Sequence, residues 1–329
     1  KWILVFTRRQ LIRQKLPTEF LLKNINEVLW NDGITFDGKW YSVFVPPTID
    51  WSKYNMLIGV LTTPKSLQTR QIIRETWAAR ANAVGCLVLF LTAEPSKATE
   101  IEARRHSDML LIEARERYTA TESTLPLKTY ALIQIFARYG TSMHWLFKCD
   151  EDTFVNPERL TSLTKQFANP ILQRYYIGCA FVRLPPIRDV KNSRSYVSYD
   201  VYPATQYPTF MSGGAGYLLS YSLANCLAIY SASDEYVYFP LEDVSVRLAI
   251  EAGCKPLIMV DKNNLFKPGL PKNPPDNVIT LHYVKGSRGL VDLWHPNDKP
   301  RNVFFLISFC CCKDIVKHKR WPSMRKVTQ

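Results

Sequence analysis

The first half of the chain alternates short apolar runs with stretches of helical periodicity. Buried strands are predicted over residues 55–62, 86–92, 109–112 and 143–147, and helices over residues 67–80, 98–107 and 124–139. This order predicts an α/β fold with a Rossmann-like, mostly parallel sheet and helices on both faces. In such sheets, ligands bind at the carboxyl ends of the strands. Polar residues that follow a predicted strand are therefore the first candidates for a site.

Three consecutive acids stand at such a strand end. Asp150, Glu151 and Asp152 follow the predicted strand 143–147, and the bond between Asn156 and Pro157 ends the pattern. Neighbouring carboxylates repel each other and are costly to desolvate, so a divalent cation would relieve the conflict. Strand alternation points Asp150 and Asp152 to the same side. Carboxylates suit Mg²⁺ or Mn²⁺, which bridge to phosphates, but a solvated acidic turn also fits the pattern.

Two further pairs of charged residues lie on predicted helices. Arg70 and Arg74 are four residues apart and share one helix face. They indicate a solvated basic face, a contact with a diphosphate, or a contact with an acidic partner in the core. Glu242 and Asp243 open a later helix that is predicted to run through Glu251. They either stabilise the helix dipole or supply a general base that faces a cleft.

The second half of the chain is less regular. Strands are predicted over 175–182 and 278–283, and a helix over 220–230. The glycines at 213, 214 and 216 allow close backbone approach, for packing or for a ligand. His282 lies in the last predicted strand, where it is either structural or a metal ligand beside the carboxylates.

Composition narrows the class of protein. The chain has 329 residues, of which 47% are hydrophobic, so it can bury a sizeable core and is not a disordered chain. Its net charge of +13 is compatible with nucleic acid, an anionic membrane surface or a phosphate-bearing ligand. The sequence has no zinc-finger spacing, RNP-like motif or basic heptad region, so no nucleic-acid partner is predicted.

The eight cysteines include no C-x-x-C pair, which argues against a structural zinc site. Their even number permits disulfides in an oxidising lumen, but buried thiols fit equally well. The run Cys310–Cys312 has no physical explanation.

Five ordered blocks resemble the family of inverting β-1,3-galactosyltransferases and β-1,3-N-acetylglucosaminyltransferases. Residues 70–77 resemble its R-x-x-I-R-x-T-W helix, and residues 127–129 resemble its L-K-T segment. Residues 148–156 resemble K-x-D-D-D-x-F-V-N, with Glu151 at the middle acid. The other blocks are residues 207–220, similar to Y-P-x-Y-x-x-G-x-G-Y-x-L-S, and residues 242–244, similar to E-D-V. Together the blocks cover about residues 55–285.

The resemblance implies a glycosyltransferase type A fold that binds Mn²⁺ and a UDP-sugar. It implies that Asp150, Asp152 and His282 hold the metal and that Asp243 is the catalytic base. It further implies that the donor is bound by Arg70, Arg74, Lys128, Asp150, Glu151, Gly213 and Gly214. The expected domains are a stem or extension over 1–54, a catalytic domain over 55–285 and a basic tail over 286–329.

The function expected from this resemblance is a metal-dependent inverting hexosyltransferase. It would move galactose or N-acetylglucosamine from UDP to a hydroxyl of a glycan on a glycoprotein or glycolipid, forming a β-1,3 linkage. The expected location is the Golgi membrane, with a luminal catalytic domain held by an N-terminal anchor that is missing from this chain, which starts at Lys1. The alternative is an inactive carbohydrate- or nucleotide-binding protein on the same fold.

Overall fold

A nine-stranded mixed sheet organises the protein. The computed structural model describes residues 31–119, 121–189, 193–284, 289–291 and 293. Cys310–Cys312 and most of the predicted basic tail lie outside the described residues. The first strands are β1 (Asp32–Phe36), β2 (Lys39–Phe44), β3 (Met56–Leu61), β4 (Cys86–Ala93), β5 (Met109–Ile112), β6 (Trp145–Asp150) and β7 (Phe154–Val155). The later strands are β8 (Tyr175–Gly178), β9 (Ala180–Phe181), β10 (Phe210–Met211), β11 (Tyr217–Ser220), β12 (Ile258–Asp261), β13 (Phe266–Lys267) and β14 (Thr280–Leu281).

Seven helices pack around this sheet in the described part of the chain. They are α1 (Leu67–Glu75), α2 (Trp77–Ala83), α3 (Lys97–His106), α4 (Thr124–Tyr139), α5 (Pro157–Thr164), α6 (Tyr221–Ser231) and α7 (Glu242–Gly253). A single 3₁₀ turn spans Trp51–Lys53. Within the described residues, none of these helices is long and apolar enough to cross a membrane.

The predicted α/β fold is confirmed, and its parallel pairing lies in the centre of the sheet. The strand order is β1-β2-β5-β4-β3-β6-β11-β8-β12. Strands β5, β4, β3 and β6 are parallel to one another, as the alternation of strands and helices requires. Antiparallel strands flank this centre on both sides, and β12 at the edge is parallel to β8. The carboxyl end of β6, which carries the acids, therefore lies in the middle of the sheet.

Helices cover both faces of the sheet, also as predicted. Alternate residues of β3 point to opposite cores: Ile58 packs with Trp77 of α2 on one face, and Leu57 packs with Leu132 of α4 on the other. At Gly59, a Cβ atom would lie 2.1 Å from Leu132 Cδ2, so the glycine lets α4 pack directly against the central strand. The predicted helix 67–80 is divided at Thr76, whose hydroxyl donates to the Ile72 carbonyl at 2.7 Å.

Part of the predicted N-terminal extension belongs to the sheet. β1 and β2 form a hairpin, and β2 pairs with β5. The hairpin turns at Asp37 and Gly38, which both have positive φ, at 50° and 67°. Asp-Gly is a typical signal for such a two-residue turn. The three predicted domains stay predictions, although the pairing of β2 with β5 joins part of the predicted extension to the sheet.

A disulfide ties two neighbouring helices together. Cys226 of α6 is bonded to Cys254, the residue that follows α7. Among the described residues, Cys86, Cys149 and Cys179 are buried free thiols. Both possibilities that the cysteine count left open therefore occur in this protein.

Candidate active site

Three potential metal ligands meet at the end of β6. His282 Nε2 lies 3.1 Å from Asp152 Oδ1 and 4.0 Å from Asp150 Oδ2. One potential ligand atom from each residue lies within 4.8 Å of the other two. Among the described residues, this is the one group of three such side chains close enough to hold a metal ion together. The sequence interpretation named the same three residues, and the structure brings them together.

Local pairing explains why His282 reaches the acids. β14 pairs antiparallel with β7, with Leu281 opposite Phe154 and Thr280 opposite Val155. The residue after β14 therefore lies beside the turn that carries Asp152. Gly214 faces the same ring, because a Cβ atom there would lie 2.1 Å from His282 Cε1. Any side chain at position 214 would displace the imidazole, so this glycine is required by close approach.

A buried lysine connects the acids of β6 to the start of α7. Lys148 Nζ donates to Asp150 Oδ1 at 3.0 Å, to Glu242 Oε2 at 2.8 Å and to the Gly213 carbonyl at 3.2 Å. The Tyr217 hydroxyl donates to the other oxygen of Glu242. Burial alone would raise the pKa of Asp150, but the Lys148 ammonium outweighs it and holds that pKa below its usual value. Asp150 is therefore ionised and can serve as a ligand.

Asp243 is held one residue further along α7. Its carboxylate accepts hydrogen bonds from the backbone N–H groups of Gly213, at 3.4 Å, and Val244, at 2.9 Å. Burial, followed by the negative charge of Glu242, raises the pKa of Asp243 to about 7. A carboxylate with a pKa near neutrality can accept a proton and release it again, which is the property required of a general base.

The three acids Asp150, Asp152 and Asp243 share one neighbourhood. Burial and then the charges of Asp152, Asp150 and Asp243 raise the pKa of Tyr283, whose side chain is exposed. On Tyr118, which is also exposed, burial and the charges of Asp150 and Asp243 have the same effect. Gly213 lies against Asp243 and its neighbour Gly214 lies against His282, so the metal-ligand group and the candidate base flank the same glycine loop, which bounds the candidate cleft.

Glu151 and Lys128 lie beside this cleft, each engaged by other residues. Glu151 accepts hydrogen bonds from the Thr62 hydroxyl and from Ser66 Oγ, the latter at 2.7 Å. Burial raises the pKa of Glu151 above its usual value. Lys128 Nζ donates to the Thr62 carbonyl at 3.0 Å and to Glu116 Oε1 at 2.8 Å. Their roles in donor binding stay predictions.

Arg70 and Arg74 contact acidic partners in the core, which is one of the three alternatives that the sequence allowed. Arg70 is fully buried and donates to both carboxylate oxygens of Glu102, at 2.9 and 2.6 Å. Arg74 donates to Glu102 at 2.8 Å and to both oxygens of Asp108, at 2.7 and 2.8 Å. These ion pairs occupy the guanidiniums, so the structure does not bring the two arginines into contact with the metal-ligand group.

The sequence analysis missed the residues that connect the two halves of the site. Lys148 was noticed only as part of a motif, and Tyr217 as part of a glycine-rich block. Their signal was weak, because a lysine two residues before an acid is common and its distant partner Glu242 is 94 residues away. The antiparallel pairing of β11 with β6 places Tyr217 opposite Lys148. Strand β11 was not predicted from the sequence.

The residues at the end of β6 suit a divalent cation. Two carboxylates and one imidazole offer a mixed oxygen and nitrogen set that Mn²⁺ accepts, and a diphosphate could complete the coordination. The donor types and their spacing therefore fit the predicted metal.

Comparison with known proteins identifies the family to which the fold and site belong. Residues 68–256 match the galactosyltransferase family. The match spans more than half of the chain and includes the acids of β6, the glycine loop and the start of α7. The protein belongs to the galactosyltransferase family and is therefore a glycosyltransferase.

Several relatives and solved structures are similar to the chain. It is 29% identical to β-1,3-galactosyltransferase 5 of Gorilla gorilla gorilla over 249 residues, covering 73% of this chain and 80% of that protein. It is 34% identical to β-1,3-galactosyltransferase 1 of Homo sapiens over 203 residues, covering 59% of each protein. A glycosyltransferase involved in glycosylation of the major capsid of PBCV-1 aligns with a TM-score of 0.40 and 13% identity, over 73% of this chain and 98% of that one. The galactosyltransferase LgtC aligns with a TM-score of 0.41 and 12% identity, over 74% and 98%.

Proposed function

We propose that the protein is a metal-dependent, inverting β-1,3-galactosyltransferase that moves galactose from UDP-galactose to a hydroxyl of a glycan acceptor. One observation carries the proposal: a carboxyl group with a pKa of about 7, Asp243, and the group of Asp150, Asp152 and His282 flank the same glycine loop. The galactose donor and the β-1,3 linkage follow from the names of the relatives. The glycosyltransferase type A fold implied by the sequence resemblance is part of the same proposal.

In this proposal, Asp150, Asp152 and His282 would hold the metal ion. A bound divalent cation stabilises the negative charge that develops on the departing UDP. Lys148 keeps Asp150 ionised and aligned through its 3.0 Å hydrogen bond. Glu151, Lys128, Gly213 and Gly214 are the proposed donor contacts.

Asp243 accepts the proton of the acceptor hydroxyl as that oxygen attacks the anomeric carbon. Its two backbone hydrogen bonds fix the direction of the carboxylate, and its pKa of about 7 leaves much of it ionised at neutral pH. Inversion requires attack on the face opposite to the departing UDP. Asp243 is not one of the metal-ligand group, so a separate base is available for that face.

The secretory pathway is the proposed location, with the catalytic domain in the Golgi lumen. The disulfide between Cys226 and Cys254 supports an oxidising compartment, because such bonds are rare in the cytosol. The acceptor would then be a glycan of a glycoprotein or glycolipid that passes through the same compartment.

The test is a transfer assay with UDP-galactose and a panel of glycans, with Mn²⁺ or with EDTA. We expect transfer that requires the metal and a β-1,3 product. Asp152→Asn removes one proposed metal ligand and should weaken Mn²⁺-dependent UDP binding by at least roughly 10- to 100-fold, the loss that removal of an outer-shell partner of a metal ligand already causes. Exposed Asp234→Asn is the matched control and should bind UDP normally.

Two results would contradict the proposal. Equal transfer with EDTA would remove the metal from the mechanism. Binding of UDP or glycan without any transfer to a broad glycan panel would instead support an inactive binding protein on this fold.

A further inference from the structure

A cavity of about 840 Å³ is lined in part by α7, the helix that also carries the candidate base, and lies outside the metal-ligand group. Its walls come from β9, β10, the middle of α7 and β12, together with the loop that joins β9 to β10. Asp150, Asp152 and His282 are not among the residues that line it. The cavity is therefore separate from the place where the donor diphosphate would lie.

Two connections join the cavity to Asp243. Arg247 and Leu248 of α7 line the cavity. Arg247 lies four residues after Asp243, so Arg247 and Asp243 share one face of the helix. The offset is one helical turn, about 5.4 Å along the axis, which is comparable to the length of a hexose ring. On the other wall, Met211 of β10 lies two residues before Gly213, whose N–H donates to Asp243.

The wall near α7 is held rigidly before any ligand arrives. Arg247 Nε donates to the Thr209 carbonyl at 2.8 Å, and its Nη2 pairs with Glu251. Arg247 and Thr209 both line the cavity. A site that is already formed loses less conformational entropy when it binds.

The lining combines apolar faces with polar edges. Tyr202, Met211 and Met259 present apolar surface, and Arg183 and Gln206 present hydrogen-bonding groups. A pyranose has the same division, with C–H groups on its faces and hydroxyls around its edge. Ligand pockets in proteins typically show such a mixture of apolar walls and a few placed polar groups.

Arg183 is the residue of this cavity that most suggests a ligand. Its side chain is exposed, and within the described part of the chain it has no ion-pair or hydrogen-bond partner. Its φ is +48°, in a region that residues other than glycine rarely adopt. Backbone strain of this kind clusters at ligand-binding sites. The unused guanidinium at the cavity can donate to hydroxyl or carboxylate oxygens of a saccharide.

We infer that this cavity binds the second sugar of the acceptor glycan, the unit next to the one whose hydroxyl is galactosylated, and that Arg183 donates hydrogen bonds to it. The inference rests on the proposed function, because it assumes that Asp243 activates the acceptor. It goes further in naming the substrate class: the preferred acceptor is at least a disaccharide, and single sugars are poor acceptors.

The test compares monosaccharide methyl glycosides with disaccharides that carry the same sugar at the non-reducing end. Arg183→Gln should raise the KM for the disaccharide about tenfold, because it removes a charged hydrogen-bond donor to the second sugar. The KM values for the monosaccharide and for UDP-galactose should stay unchanged. Arg105→Gln, an exposed arginine of α3 outside the cavity, is the matched control and should leave all three KM values unchanged.

A second variant blocks the cavity instead of removing a contact. Val182 is exposed at its rim, so Val182→Trp can be accommodated without disturbing the core. It should abolish the advantage of the disaccharide over the monosaccharide. Equal effects of Arg183→Gln and Val182→Trp on both acceptors, or no effect on either, would overturn the inference.

Failure of the proposed function can be told apart from failure of this inference. Binding of the disaccharide methyl glycosides is measured by calorimetry with UDP and Mn²⁺ present, without any transfer. If the wild-type protein binds a disaccharide and Arg183→Gln does not, the cavity assignment holds even when no acceptor is galactosylated. If neither Arg183→Gln nor Val182→Trp weakens that binding, the assignment is wrong whatever the enzyme transfers.

Discussion

Two groups of charged side chains in this protein differ in the balance between acids and cations. The helix cluster consists of Arg70, Arg74, Glu102 and Asp108, with two cations facing two acids at distances of 2.6–2.9 Å. The site cluster consists of Lys148, Asp150, Asp152, Glu242 and Asp243, with His282 beside it. There, one ammonium faces Asp150 and Glu242 while further carboxyl groups lie close by.

The difference in balance indicates a difference in role. The helix cluster satisfies its own charges, so it can join α1 to α3 and to Asp108 without a ligand. The site cluster has more acids than cations, and such an excess is stable only if a cation binds or if a carboxyl group keeps its proton. A metal ion at Asp150 and Asp152 would be the bound cation, and the raised pKa of Asp243 favours a carboxyl group that keeps its proton. The type of charged residue alone therefore does not identify a site, whereas an imbalance between acids and cations does.

The largest expected effect comes from neutralising the candidate base. Asp243→Asn preserves the shape of the side chain and can still accept a backbone hydrogen bond, but it cannot accept a proton. We expect kcat to fall roughly 10²- to 10⁴-fold, the range for general base catalysis. UDP binding should stay within about twofold, because Asp243 is not part of the metal-ligand group. Steady-state kinetics and UDP titration measure both quantities.

Asp234→Asn, at an exposed turn after α6, is the control for this change. If Asp243→Asn kept more than about a tenth of the wild-type kcat, the loss would be too small for removal of a general base. Asp243 would then be an acid that the site tolerates, and the imbalance of the site cluster would need another explanation.

The next effect concerns stability and tests the helix cluster. Arg70→Met leaves Glu102 with one cation instead of two and removes the donor to Thr62 Oγ1 and to the Thr63 carbonyl. Removing one partner of a buried ion pair typically costs about 3–5 kcal/mol, so the free energy of unfolding should fall by about that amount. Denaturant titration measures it. Arg80→Met breaks the exposed pair with Glu158 and should change the free energy by less than about 1 kcal/mol.

The same variant decides between two roles for Arg70. A structural role predicts that the folded Arg70→Met protein keeps its KM for UDP-galactose. The nucleotide contact implied by the sequence resemblance predicts the reverse, a raised KM with stability close to that of the wild type. The second result would show that the helix cluster rearranges when the donor binds.

Much of the site could be predicted from the sequence because its main residues stand at recognisable places. Asp150 and Asp152 follow an apolar strand, and Asp243 opens a helix, so local periodicity was sufficient to select them. The central strands β3, β4, β5 and β6 were predictable for the same reason. Their apolar runs are buried on both faces and read as strands without knowledge of their partners.

The remainder depended on contacts between distant parts of the chain. β1 and β2 have polar and exposed positions, and their place in the sheet is fixed by pairing with β5. The link between Lys148 and Glu242 needs β6, β11 and α7 to be assembled first. The partners of Arg70 and Arg74 could not be chosen from the sequence, because one helix face with two arginines suits water, phosphate or buried acids equally well. Register and packing carry this information, and neither is visible in local periodicity.

The smallest expected effect is a shift in pH dependence, and it tests whether the acids of the site cluster act on each other. The base works in its ionised form, so kcat/KM should rise with pH through the pKa of Asp243, about 7. Burial is the largest cause of that raised pKa, and the negative charge of Glu242 is the second. Glu242→Gln removes this charge, which makes ionisation of Asp243 easier. The acid limb of the profile should therefore move to lower pH, by about one unit.

The groups around Asp243 make this sign checkable. Lys148 lowers the pKa of Asp243 and stays in place in Glu242→Gln, so its unbalanced charge acts in the same direction as the loss of Glu242. Tyr207, Tyr176, Tyr118 and Tyr283 also lie near Asp243, but they are neutral throughout the range of the acid limb. Tyr217→Phe is the matched control, because it removes a hydrogen bond to Glu242 and leaves the charge. An acid limb that moves upward in Glu242→Gln, or that moves equally in Tyr217→Phe, would mean that Glu242 supports the helix start without tuning the base.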